Sequence, residues 1–205
     1  MRTKCSGRGL GADSENGGQP YLLRLLREGK LAHSSWNVMV RALEFFYRVT
    51  LHRREIEFCL PRPKVPAKLP QILAREEVAA LIEKTNNLKH RALLMTTYGG
   101  GLRLQEVCRL RLCDIDAKRM MLRVEQGKGA KDRYTLLSPR LLDELRRYWL
   151  LHRPKQWLFP SPRVPELALP KQTAHRIYHA AKDRAGITKA GGIHALRHAF
   201  ATHLL

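Results

Sequence analysis

The stretch Leu60 to Pro70 holds four prolines and three basic residues, with no acidic residue among its eleven positions. Proline fixes φ and has no amide hydrogen, so this stretch builds neither a helix nor a central strand and is expected to run extended. It therefore divides the 205-residue chain into a short leading part and a long following part, and no single element passes through it. The charge of residues 60–70 suits a segment lying along a phosphate backbone, and equally a linker kept soluble by Lys and Arg. Both readings stay open, with Lys64 and Lys68 as the candidate DNA contacts.

Ahead of the prolines, residues 1–19 are rich in glycine and polar residues with no apolar period, which predicts a disordered lead. Tyr21, Leu22, Leu25 and Leu26 make one short helical face. After a cap at Ser34 or Ser35, Val40, Leu43, Phe46 and Tyr47 make another. Residues 20–59 thus read as a small helical unit.

The segment 71–205 reads as a larger, mostly helical domain. Val78, Leu81 and Ile82 start one helical pattern; Leu93, Leu94 and Thr97 carry a second, which Gly99-Gly100-Gly101 ends before a new helix near Leu104. Met120, Leu122 and Val124 alternate with Met121, Arg123 and Glu125, and turn residues 127–132 lead to Tyr134-Thr-Leu-Leu, the pattern of a basic β-hairpin. Ser138-Pro139 opens a helix with Leu141, Leu142, Leu145, Tyr148 and Trp149 on one stripe. Ala174, Ile177, Tyr178 and Ala181 mark another that ends at Gly186, and the last begins near His194. The fold class expected is mainly α with a small antiparallel β-sheet.

Charge narrows the partner. The net charge is +20, and residues 61–205 hold 28 of the 38 Lys and Arg against 12 acidic residues. Such an excess matches a protein that neutralises phosphates, so nucleic acid is the default partner, a property that a generic RNA or ribosome binder would share. No apolar run approaches a membrane span, and Arg2, Lys4 and Arg8 lie among glycines rather than before a secretion signal's apolar core. The expectation is a cytoplasmic protein without a membrane partner. Four cysteines, at 5, 59, 108 and 113, lack CxxC spacing and are expected to be reduced thiols.

Three clusters carry chemistry: Gly101-Leu-Arg103-Leu-Gln-Glu106, Gly127-Lys128-Gly-Ala-Lys131-Asp-Arg133, and His194-Ala-Leu-Arg197-His198-Ala-Phe-Ala-Thr-His203. Arg103 and Glu106 are equally readable as a plain fold salt bridge. His194, Arg197 and His198 share one side of a helix start, where backbone N–H groups favour an anion; satisfied core histidines are the competing reading. A guanidinium between the histidines argues against a metal, so neither metal nor cofactor is expected. The glycines around Lys128 lack P-loop spacing and join two strands, which rejects nucleotide binding.

Together, Tyr98-Gly-Gly-Gly-Leu-Arg103-Leu-Gln-Glu106, the Lys128 hairpin and the His194 to His203 run resemble the tyrosine recombinases, or phage integrases, over residues 21–205, most closely the integron-type integrases of mobile genetic elements. The resemblance implies a partial helical, SAM-like core-binding domain at 20–59, a linker at 60–70 and a catalytic domain at 71–205, clamped round a double-stranded DNA recombination site. Arg103 and Arg197 would hold the non-bridging oxygens of the scissile phosphate. Lys128 would protonate the leaving 5′-hydroxyl, and His194 would bond the phosphate and assist the nucleophile. Glu106 and His198 would support them, and Lys131 and Arg133 would contact DNA.

The family carries a later His or Trp and then a tyrosine that forms a 3′-phosphotyrosyl intermediate. This sequence ends at Leu205 before either. None of its six tyrosines takes the nucleophile's position, so covalent catalysis by these residues alone is not expected. The family's tetramer on DNA is in doubt for the same reason. Two readings follow: an enzyme whose active part extends further, or a non-catalytic DNA-binding remnant.

Overall fold

The computed structural model describes residues 24, 33–52, 71–125 and 132–205. Residues 1–19, the face of Tyr21, Leu22, Leu25 and Leu26, the proline-rich stretch with Lys64 and Lys68, and the hairpin turn with Lys128 and Lys131 lie outside the described residues. The chain falls into two compact units, residues 1–68 and 69–205.

In the first unit, α1 spans His33–Phe45 and continues as a π-helical turn over Phe46–Thr50. The helix starts at His33, so the serines expected to cap it lie within its first turn. Trp36 and Val40, four apart on one face, are buried, whereas Phe46 is exposed rather than part of a buried stripe.

The second unit consists of α2 (Arg75–Glu83), α3 (Leu88–Gly99), α4 (Leu104–Cys108), a 3-10 turn (Leu112–Asp114), β1 (Ile115–Asp116), β2 (Met121–Val124), β3 (Arg133–Leu136), α5 (Pro139–His152), α6 (Lys171–Ala185) and α7 (His194–His203). The antiparallel sheet runs β1-β2-β3, with Leu122 opposite Thr135 and Val124 opposite Arg133. The two-residue strand β1 extends the expected hairpin to three strands. Leu122 and Val124 face the core with Leu93, Leu94, Leu102, Val107 and Leu141, while Met121, Tyr134 and Leu136 are exposed.

Local chemistry sets the helix ends. Glu77 turns back to accept the Ala74 N–H at 2.7 Å, Asn87 accepts from His90 N–H at 3.0 Å, and Ser138 accepts from Leu141 N–H at 3.2 Å ahead of Pro139. Gly186 closes α6 in the left-handed conformation with φ +73°. On α5 the stripe of Leu141, Leu142, Leu145 and Tyr148 is buried as expected, but Trp149 is 39% exposed, with the Arg153 guanidinium 4.0 Å from its ring centroid. The core at this end of the helix takes in Tyr148, stacked on Phe159, and a cation covers the indole instead. Cys108 is buried, which pushes its thiol up to about 11, and Cys113 is exposed; both are free.

Candidate phosphate-binding site

The glycine run ends α3 and folds tightly into α4. Gly101 has φ +56°, and a Cβ there would lie 2.3 Å from Cδ1 of the Phe200 ring, so the residue has to be glycine for both backbone and packing reasons. Its carbonyl accepts from Arg197 Nη1. One peptide thus ties the start of α4 to α7. At its far end, α7 is held by Tyr98 Oη 2.9 Å from His203 Nδ1 and by Arg75 Nη2, which donates to His203 O at 2.8 Å.

Arg103 caps α4 from outside its first turn. Glu106 accepts the Arg103 N–H at 2.7 Å through Oε2 and the Arg103 guanidinium at 2.8 Å through Oε1, and Arg133 Nη2 from β3 donates to Oε2 at 2.6 Å. Its side chain is 7% exposed, against 38% for Arg103 and 32% for Arg133. Burial pushes the Glu106 carboxyl up, but the hydrogen bonds from Arg103 and Arg133 and the Arg133 charge outweigh it and hold the group below the usual carboxylate range. The salt bridge expected between Arg103 and Glu106 is therefore formed. The Arg103 side chain remains 38% exposed beyond that contact.

Arg197 is in electrostatic reach of this carboxylate, and His194 is in reach of Arg103 and Arg197. Arg197 is half-buried, and burial together with the neighbouring Arg103 lowers its pKa from the ordinary value. His194 and His198 are exposed, which overturns the core-histidine reading. His194 is held below the ordinary histidine value by burial first, then by the charges of His175, His198, Arg197 and Arg103. A half-buried site with several cations and one carboxylate is built for an anion with several oxygens, such as a phosphodiester. Among the described residues, no group of three or more His, Cys, Asp or Glu comes together as a metal site.

Of the candidate residues, the structure brings together Arg103, Glu106, Arg133, His194, Arg197 and His198. Arg133, expected as a DNA contact, shares Glu106 with Arg103. Lys64, Lys68, Lys128 and Lys131 lie outside the described residues. His175 of α6 escapes the sequence reading; an ideal Cβ on Gly192 would sit 3.7 Å from its Nδ1, which places the ring under the turn before α7. Nothing local marks it, since it sits between Ala174 and Ile177 of a plain helical stripe. An open cleft of about 640 Å³ also runs from Arg103 past Arg109, Arg111 and Arg123 to Trp157. Arg111 and Arg123 there face Glu125, at 3.6 Å in the case of Arg111.

Residues 71–205 match the Phage integrase family. The chain is 46% identical over 186 residues to a Sinorhizobium fredii protein named "Putative integrase/recombinase y4qK", an alignment that takes in 90% of this chain and 60% of that one. It is 34% identical over 189 residues to Tyrosine recombinase XerA of Thermococcus onnurineus, with 90% and 66% covered. Among solved structures, a lambda integrase tetramer bound to a Holliday junction superposes with a TM-score of 0.70 at 18% identity, over 89% of this chain and 57% of that one, a likeness of fold. The chain thus spans about 60% of the length of the Sinorhizobium relative.

Proposed function

This chain belongs to the phage integrase family of tyrosine recombinases, and on that footing we propose that it binds double-stranded DNA at a recombination site and holds the phosphate to be cut. The observation that carries the reading is that Arg103 and Arg133 share the buried carboxylate of Glu106, with Arg197 in electrostatic reach of all three and His194 in reach of Arg103 and Arg197. In this reading Arg103 and Arg197 each present a planar fork to the non-bridging oxygens, and the charge that grows on them in a pentacoordinate transition state meets donors already in place. Glu106 keeps the Arg103 fork aimed. His194, poised below its ordinary value, hydrogen-bonds a phosphate oxygen and takes the nucleophile's proton.

Lys128 is proposed as the acid for the leaving 5′-hydroxyl, and Lys64, Lys68 and Lys131 as backbone contacts. The attacking tyrosine is assigned to none of the described residues of this unit. Tyr98 is engaged by His203, Tyr148 and Tyr178 are buried, with burial pushing Tyr148 up to about 12, and Tyr134 stands on the exposed face of the sheet. Strand cleavage and rejoining through a 3′-phosphotyrosine is thus proposed for the protein as a whole. So are assembly as an oligomer on DNA, for which the lambda integrase tetramer is the supporting likeness, kinship with integron integrases, division into core-binding and catalytic domains, and action in the cytoplasm without metal or cofactor. No described helix is long and apolar enough to cross a membrane.

Footprinting with a salt titration tests this. A site-limited footprint whose affinity falls steeply with salt supports it, and Arg197→Ala should remove protection at the central phosphate, with a thermal melt checking that the variant folds. Equal binding to every duplex, or unchanged protection in the variant, would falsify the site assignment.

A further inference from the structure

The turn that launches α7 is fastened, on its upstream side, to the first described residues after the proline-rich stretch. Lys189 Nζ donates to Ile72 O at 2.9 Å and to Glu77 Oε2 at 2.6 Å, and the Ala190 N–H donates to Gln71 Oε1 at 2.8 Å. Glu77 is doubly committed, because the same oxygen accepts the Ala74 N–H that opens α2. From Ala190 the chain has only Gly191, at φ +131°, and Gly192 before Ile193 and His194. A glycine pair has little stiffness of its own. The place where α7 begins is therefore set by what grips the chain on either side: Lys189 and Ala190 before it, the Arg197 bond to Gly101 O after it.

We propose that Lys189 is a positioning residue of the phosphate-binding cluster: its bonds to Glu77 and Ile72 fix where His194 enters α7, and so where its imidazole stands relative to Arg103 and Arg197. The inference rests on reading that cluster as the phosphate site. The ion pair is partly exposed, with Lys189 at 35% and Glu77 at 29%, so its contribution to global stability is small. Its effect is geometric. His175 from α6, His198 and Arg197 from α7, and Arg103 at the head of α4 all press like charge on His194. Mutual repulsion drives these groups apart, and a tether on the flexible side of the turn opposes it.

The experiment is an NMR pH titration of the His194 ring in the full 205-residue chain without DNA, the signal being assigned by its loss in His194→Gln. If Lys189 positions the turn, Lys189→Met and Glu77→Gln both let α7 relax, and in both His194 titrates at higher pH, nearer the ordinary histidine value. Lys189→Arg, which keeps the donors and the charge, retains the wild-type titration. Plain through-space charge predicts the opposite pattern: losing the lysine raises His194, and losing the carboxylate lowers it. Opposite shifts, or no shift in either variant, overturn the proposal. Should Glu77→Gln fail to fold in a thermal melt, Gln71→Ala replaces it; this neutral change removes the Ala190 bond and acts on His194 only through position. Because no DNA is present, failure here leaves the recombination-site reading standing, and failure of the footprint leaves this titration interpretable.

Discussion

Glu106 has the most to do for its size. Its two oxygens accept from one backbone N–H and two guanidinium groups. Glu106→Gln leaves those donors crowded around a neutral amide, and the loss should be about 2 kcal/mol, the scale of charge-assisted hydrogen bonds, read from a urea midpoint. The sign with pH follows from the direction of the shift. A carboxyl held low in the fold adds stability above its unfolded pKa, and that stability is lost as pH falls through the folded value. The wild type should therefore weaken in acid, and the glutamine variant should show a flatter profile there. His194 works the other way on binding. A bound phosphate favours the imidazolium and lifts a group that the free protein holds low, so DNA affinity should rise as pH falls through the histidine range. It should stay flat in His194→Gln, measured by fluorescence anisotropy. Gly101→Ala meets both a left-handed backbone, costing about 1–2 kcal/mol, and the Phe200 ring at 2.3 Å. The melting temperature should drop, and Gly101→Ala/Phe200→Ala should recover only the part owed to the ring. The clusters that hold Arg103, His194 and Arg197 stand out in the sequence, and their proposed roles come from the resemblance to tyrosine recombinases. His175 does not stand out, because its proximity to His194 arises only when α6 packs under a turn near residue 192.

Elements were legible where periodicity and punctuation agreed. The stripe Ala174, Ile177, Tyr178 and Ala181 with Gly186 at its end gives α6, and the structure buries all four residues of the stripe. Ser138 ahead of Pro139 marks the start of α5, and its side chain does accept the Leu141 N–H. Ser138→Ala should cost about 1 kcal/mol in thermal unfolding, while DNA affinity is unchanged, since the cap lies outside the cation cluster. Two residues cannot show a period, so β1 was invisible; it is defined by its pairing of Ile115 with Leu122 and Asp116 with Met121. Trp149 was misplaced because helical spacing gives the angle of a side chain, not which neighbour covers it: Tyr148 beside it is fully buried against Phe159. Four residues after Leu145, the indole is covered by Arg153 rather than by apolar neighbours.

For the molecule as a whole, a net charge of +20 should make the proposed binding to DNA strongly dependent on ionic strength. A plot of log K against log salt should be steep, and Arg197→Ala should reduce its slope by roughly one, the change expected when one phosphate contact is lost. A substitution at an arginine remote from bound DNA, by contrast, leaves the slope as it was. Association should also quicken at low salt, because the uncompensated cations attract the polyanion before contact.

The contacts that build the cluster join residues far apart in sequence: Arg75 with His203 at a separation of 128, Lys189 with Ile72 at 117, and Arg197 with Gly101 at 96. Closing such loops has an entropic cost that must be met before the contacts repay it, so they form late in folding. On the ribosome, α2 to α6 emerge and can pack before α7 is available, yet the cation cluster has no Arg197 or His194 until the end of this segment is released. A partly synthesised chain therefore carries much of the basic charge without the geometry that would select a particular phosphate. On the proposed reading of the cluster, its encounters with nucleic acid during synthesis should be unselective and salt-sensitive, with discrimination beginning when α7 docks.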